Sequence, residues 1–238
     1  MADYIKNIIV CKKEIGDKVL TINDNEFEFD FNALIPMPKE LDITSGPSHE
    51  RNALKLFCID NEDKIDEIKE VLDKAQHFSG RASYWVWNDL GAKPSSDELK
   101  ELKEWSESYE PKEETDVKNG GINSFLKLGE RYFNNIKNYG HPSWLSWRVV
   151  NWGCKWPALD TEVMYDEDKD EYTIKFDTAY TMPMNILNKF CELCKPGELN
   201  WTYYPDFEKK VATRMTNPNG SIISETVPLA EVKKGRRV

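Results

Sequence analysis

The chain lacks any apolar run approaching the ~20 residues that a membrane-spanning helix needs, so no transmembrane segment is expected. It also lacks a paired cysteine framework. The five cysteines, Cys11, Cys58, Cys154, Cys191 and Cys194, are odd in number and scattered, whereas a secreted disulfide scaffold is dense and paired. The start, "MADYIKNIIVCKKEIGDK", has only a short apolar segment with no small-residue cleavage site after it, and so reads as a first strand, not a signal peptide. Together these absences lead to an expectation of reduced thiols and a cytoplasmic location. Histidine is scarce, with His49, His77 and His141 far apart, and no GxSxG, Walker loop, GxGxxG, HExxH or kinase signature occurs. No catalytic set, cofactor site or metal site emerges, and the chain is read as a non-enzyme.

Clustered basic residues are missing too. Net charge is −10, and phosphate contacts need grouped Lys and Arg, so nucleic acid is not expected as a direct ligand. The one basic cluster, Lys233 to Arg237, is read as a solvated tail. The acids themselves are interspersed with bases, as in "KIDEIKEVLDK" and "ELKELKEWSE". That is the pattern of a solvated helix face and not of a DNA mimic.

What the chain does have is aromatic surface. Four of its eight tryptophans, Trp144, Trp147, Trp152 and Trp156, fall within "YGHPSWLSWRVVNWGCKWPAL", Tyr139 to Leu159. Trp144 and Trp147 share a face at helical spacing, and Trp152 and Trp156 follow at a strand start. Burying one such ring removes ~150–250 Å² from water, so the segment is expected to form a joint between helix and sheet. A protein interface and an aromatic ligand platform are the alternatives.

Local patterning supplies the architecture. "IKNIIVCK" is apolar and β-branched, and "FEFDFNALI", Phe27 to Ile35, alternates with period two; both predict strands. Pro36 and Pro38 stop the second, and "PMPKELDITSGPSHE" predicts a loop. From Asn61, the residues Ile65, Ile68, Leu72, Ala75 and Phe78 recur at helical steps. "SSDELKELKEWSESY" predicts a helix opened by a Ser95–Glu98 capping box. "EPKEETDVKNGG" has linker composition. A helix follows with Phe125, Leu126, Tyr132, Phe133 and Ile136 on its apolar face, closed by Gly140. Next come a short helix over His141 to Val150, a strand from "CKWPAL", an alternating strand over Glu171 to Tyr180, and a helix after Pro183 carrying Ile186, Leu187, Phe190 and Leu193. "ELNWTYYPD" is a further strand, and a hairpin turns at Asn217 to Gly220. The fold class expected is α+β, a mostly antiparallel sheet with helices on one face. Residues 1–90 supply N-terminal strands and a helix of the core, 91–138 a helical insertion in the middle of the chain, and 139–238 a C-terminal α+β part with a terminal hairpin.

Other motifs have plainer readings. Cys191-x-x-Cys194 has no second thiol pair to complete a four-ligand zinc site, and it falls at a helix end where the dipole does not lower a thiol pKa. Core or half-exposed thiols are the expectation, with redox or metal chemistry as alternatives. The acidic run Asp166 to Asp177 has Glu171 where a calcium loop needs glycine, so it reads as a hairpin tip. Asp160 with Glu162, and Asp24 with Glu26, are carboxylate pairs of a kind that 42 acidic residues produce by chance. His49, beside Glu50 and Arg51, reads as a surface histidine.

One resemblance goes further. "YGHPSWLSWRVVNWGCKWPA", followed by "IKFDTAYTMP", resembles the signature of the YubB ferredoxin-like proteins of bacteriophages and plasmids, as does the upstream "FDFNALIPMPKEL". The matching positions are Gly140, Trp144, Trp147, Asn151, Trp152, Gly153, Lys155, Trp156, Phe176, Thr178, Ala179 and Pro183, with Cys154 replacing the usual threonine and Tyr180 the usual tryptophan. The resemblance implies a ferredoxin-like fold for the sheet and a mobile-element origin, and it carries over no functional residue. With it, the leading expectation is a non-enzymatic binding or inhibitory protein of a phage, prophage or plasmid. It would act by protein–protein interaction on a host or competing-element protein, plausibly a defence component, with its acidic surface meeting a basic partner. Candidate binding residues are Trp105 and Tyr109 on the polar middle helices, Arg131, and Arg148, Lys155 and Tyr180 of the signature region. A nucleotide-binding sponge using Arg148, Lys155 and Tyr180, and an enzyme built around His49 or His141, remain the alternatives.

Overall fold

In the computed structural model the described residues are 3–24, 26–61, 63, 67, 70–71, 96–107 and 122–234. They divide into two compact units, one of Met1–Pro36 with Asn151–Val238, the other of Met37–Val150. The fold is α+β, and among the described residues no helix is long and apolar enough to cross a membrane.

The first unit is built on a six-stranded sheet of order β4-β5-β1-β6-β7-β8. Its strands are β1 (Tyr4–Lys12), β4 (Leu159–Asp166), β5 (Glu171–Ala179), β6 (Asn200–Pro205), β7 (Val211–Thr216) and β8 (Ile223–Pro228). Every neighbouring pair is antiparallel. The central strand β1 is apolar and β-branched; β5 and β6 flank it on both edges, and Ile8, Ile9 and Cys11 are buried. A separate two-stranded ribbon pairs β2 (Leu20–Asn23) with β3 (Glu26–Phe29).

Side-chain alternation sends one set of residues to an aromatic core. Phe29, Phe176, Phe190 and Trp201 meet there at ring-centroid separations of 4.8–6.2 Å, mostly edge to face. Phe190 comes from helix α6 (Met184–Cys191), whose Ile186 and Leu187 are also buried, as its spacing predicts. The opposite face of the sheet is partly covered as well. Ile8, Tyr204, Ala212 and Val227 cluster there with Leu229 of the terminal helix α7 (Leu229–Lys234). The sheet thus carries helices on both faces, where the sequence led to one. The second apolar set, spread over four strands, has no periodicity visible in any one of them.

The expected strand Phe27–Ile35 is corrected. β3 ends at Phe29, and Asp30 caps a 3₁₀ turn over Phe31–Ala33 by accepting from the Asn32 N–H at 2.8 Å. An Asp side chain that bonds the backbone two residues on competes with a continuing ladder. The apolar alternation survives, because both Phe29 and Phe31 still reach the core.

The second unit is helical. Among the described residues its α-helices are α2 (Pro47–Asp60), α3 (Ser96–Glu107), α4 (Ile122–Tyr139) and α5 (Trp144–Asn151, whose last residue belongs to the first unit); the first unit also has the one-turn α1 (Lys13–Gly16). Helix α2 corrects the last part of the loop expected over Pro36–Glu50, which is helical from Pro47. Most of the helix expected over Asn61–Phe78 lies outside the described residues. Leu54, Phe125, Leu128, Tyr132 and Ile136 form the packed interior of α2 and α4. The Gly129 position lets the helices touch: a Cβ there would stand 2.1 Å from the Ala53 carbonyl oxygen. Gly140, at φ 75°, ends α4 as expected.

The tryptophans divide. Trp152 is wholly buried in the first unit, edge-on to Phe31, with its Nε1–H donating to the Ile35 carbonyl at 2.9 Å. Trp147 is also buried. Trp144 is half-buried beneath the Arg148 guanidinium, and Trp156 is exposed.

Candidate groove on the charged face of the sheet

The face of the sheet opposite the aromatic core carries a groove of about 350 Å³. Register explains its lining. Lys6 of β1 pairs with Asp177 of β5 on one side and Tyr204 of β6 on the other. Lys175, two residues from Asp177, pairs with Glu162 of β4. Cross-strand partners share a face, so these side chains converge, and Ile8 forms an apolar patch of the lining.

Two more carboxylates come from the strand ends. β4 is irregular between Leu159 and Glu162, and Asp160 in that bulge has φ 49°, a conformation that Asp tolerates better than most residues. Asp206 follows β6, where its N–H donates to the Tyr4 carbonyl at 2.9 Å. The groove therefore holds Asp160, Glu162, Asp177 and Asp206 against Lys6 and Lys175, four acids to two bases.

The deepest charge is Asp177, which is 7% exposed. Lys6 Nζ stands 2.5 Å from its Oδ2. Burial pushes the Asp177 carboxyl above its ordinary value, the Lys6 hydrogen bond and charge pull it back, and Asp160 and Asp206 add to the upward push. Burial opposes the Lys6 ammonium, but the bond to Asp177 and the charges of Asp177 and Asp206 raise its pKa overall. One ammonium thus leaves the desolvation of Asp177 incompletely offset. Lys175 is engaged separately, 3.4 Å from Glu162.

Of the binding residues expected from sequence, none of the four described, Arg131, Arg148, Lys155 and Tyr180, lines this groove. Lys155 and Tyr180 lie in a second locus of the first unit. Tyr180 is 59% exposed at φ 67°, which is a genuine backbone outlier for a bulky residue. Lys155 Nζ sits 4.6 Å from the centroid of the Trp156 ring. The two loops are tied by the Thr181 hydroxyl, which donates to the Gly153 carbonyl at 2.8 Å. Met184 and Trp156 are exposed beside the same loops in sequence. Arg131, half-buried on α4, and Arg148, 4.8 Å over the Trp144 ring, belong to the second unit. The Trp105 side chain and Tyr109 lie outside the described residues.

The second unit has its own buried polar set. Glu50 on α2 is 6% exposed and accepts from the Ser143 hydroxyl at 2.6 Å and the Ser45 hydroxyl at 3.3 Å. Burial raises its carboxyl pKa despite these bonds. His141 is buried, 3.2 Å from the Ser146 hydroxyl, and desolvation takes its pKa down to about 4. These groups knit loops to helix ends. Among the described residues no group of three or more His, Cys, Asp or Glu is arranged to hold a metal ion.

No family model matches the chain, and neither a curated protein nor a solved structure does.

Proposed function

We propose that the chain is a non-enzymatic binding protein that receives a basic segment of a protein partner in the groove of Lys6, Asp160, Asp177 and Asp206. The observation that carries this reading is the buried Asp177, faced by two further aspartates and by a single ammonium. A lysine or arginine side chain entering the groove supplies a further counter-charge to Asp177, whose own burial strengthens charge pairing. The surplus of acid also speeds encounter with a basic surface. In the setting implied by the YubB resemblance, the partner is a host or competing-element protein, such as a defence component, and the outcome is its inhibition. The strand order β4-β5-β1-β6, with β6 reached through α6, is also the order of a βαββαβ plait, and this supports the ferredoxin-like reading.

Capture from bacterial lysate on the immobilised protein tests the reading. Basic proteins retained at low salt and released at high salt, and lost from an Asp160→Lys/Asp206→Lys bait, support it. Equal retention by both baits contradicts it.

A second reading rests on Tyr180. Its strained, exposed ring near the Lys155–Trp156 loop suits stacking of a nucleobase. A thermal-shift screen separates the two, because a nucleotide at a hundredfold its Kd adds ~2.7 kcal/mol of stability.

A further inference from the structure

Two thiols that neither the aromatic core nor the groove uses stand where α6 ends. Cys191 is its last residue, and the chain turns there at once: the Cys194 N–H donates to the Cys191 carbonyl at 3.0 Å, and the Leu193 N–H to the Phe190 carbonyl at 3.0 Å. A turn closed in this way keeps its first and fourth Cα atoms within about 7 Å, and a disulfide spans Cα separations of about 4.4–6.8 Å. Both side chains are half-buried, so a small reagent reaches them.

Their surroundings differ. The Asn217 amide donates to Cys191 Sγ at 3.6 Å. Cys194 does the opposite: its Sγ–H donates to the Phe190 carbonyl at 3.5 Å, and burial pushes its thiol up to about 12. Asn217 is itself fully buried and fixed. Its amide also donates to the Lys195 carbonyl at 3.1 Å, and its Oδ1 accepts from the Gly197 and Leu199 N–H groups at 3.1 and 2.8 Å. A rigid donor thus stands on one sulfur of the pair only.

We propose that Cys191 and Cys194 are a dithiol–disulfide site, with Cys191 the attacking thiol, Cys194 the resolving thiol and a low-molecular-weight disulfide the oxidant. The Cys191 thiolate attacks one sulfur of the small disulfide, forming a mixed disulfide and expelling one thiolate, which takes up a proton. Cys194 then gives up its proton as its sulfur attacks Cys191 Sγ, and the second small thiol leaves. Two protein thiols and one small disulfide become one protein disulfide and two small thiols. Because Asn217 anchors the 195–199 segment that leads into β6, the redox state of the pair is coupled to that segment.

Oxidised glutathione applied to the full-length protein, followed by thiol counting and peptide mass analysis, tests the proposal. The wild type should lose two of its five thiols and yield one cross-link, Cys191 to Cys194. Cys194→Ser should stop at a glutathione adduct on Cys191, and Cys191→Ser should give neither product. On the reduced wild type, iodoacetamide near pH 7 should label Cys191 at least about tenfold faster than Cys194, since burial pushes the Cys194 thiol up to about 12 and the thiolate is the reactive form. Retention of all five thiols, a cross-link through Cys11 (whose thiol feels the charge of Cys194), or a Cys194→Ser protein that takes no adduct would overturn it. The labelling rates need no variant to fold.

Discussion

Lys6 and Asp177, 171 residues apart in sequence, meet at 2.5 Å on neighbouring strands at the centre of the sheet. The contact is both a structural pair and the floor of the groove. Replacing Lys6 by Met leaves a 7%-exposed carboxylate facing two aspartates, with the groove's other base, Lys175, engaged by Glu162. The pair is part-exposed on the lysine side, so the expected loss is on the order of 1–2 kcal/mol rather than the larger cost of a fully buried pair. Lys6→Met/Asp177→Asn should recover most of it, and urea unfolding of the double-mutant cycle measures the coupling.

Trp152 is expected to be a stability residue. Trp152→Phe keeps the contact with Phe31 but removes the donor to the Ile35 carbonyl. A cost of about 1–3 kcal/mol follows from the unpaired acceptor and the lost ring volume. Chemical denaturation checks it, with Trp156→Phe, at an exposed site, as the near-neutral control.

Gly129→Ala should damage the second unit. The added methyl would stand 2.1 Å from a backbone oxygen of α2, which no rotamer can relieve. Helices α2 and α4 must separate, at a cost of about 1–3 kcal/mol or more, visible as a lowered thermal midpoint.

Two buried groups of the second unit give opposed pH responses. His141 is held neutral, its pKa lowered from 6.5 to about 4, so the unfolded chain binds more protons between those values. Its contribution to stability is present above pH 6.5 and is lost as pH falls towards 4. Glu50 has a raised pKa, so the folded state binds the extra proton, and stability rises on acidification from its folded value down to about its ordinary one of 4.5. His141→Phe should flatten the acid-side loss of stability, and Glu50→Gln should steepen it. Unfolding free energies across pH 4–7 decide both.

Much of the sheet was legible because single segments carried their own periodicity. Glu171–Ala179 alternates, and Ile174 and Phe176 are indeed buried. The helix after Pro183 buries Ile186, Leu187 and Phe190, and Gly220 takes the positive φ its hairpin position needs. Helix α2 was hidden by its own start, since Gly46, Pro47 and Ser48 punctuate like a loop, although proline is at home in a first helical turn. The groove was hidden for a different reason. Asp160 and Glu162 stood out only as a chance pair, Asp177 only as the end of an acidic run, and Lys175 only as one residue of an alternating strand. Nothing local to Lys6, Asp177 or Asp206 announces a site, because strand register alone brings them together.

The most direct measurement is fluorescence anisotropy of a labelled oligolysine peptide titrated with the protein, against an oligoglutamate control. The account predicts that the oligolysine binds, that its affinity falls as salt rises, and that Asp160→Lys/Asp206→Lys weakens it at least about tenfold, a loss of ~1.4 kcal/mol, while Lys155→Ala/Tyr180→Ala leaves it unchanged. Equal binding of both peptides, or an oligolysine affinity that the Asp160/Asp206 reversal does not alter, would contradict it.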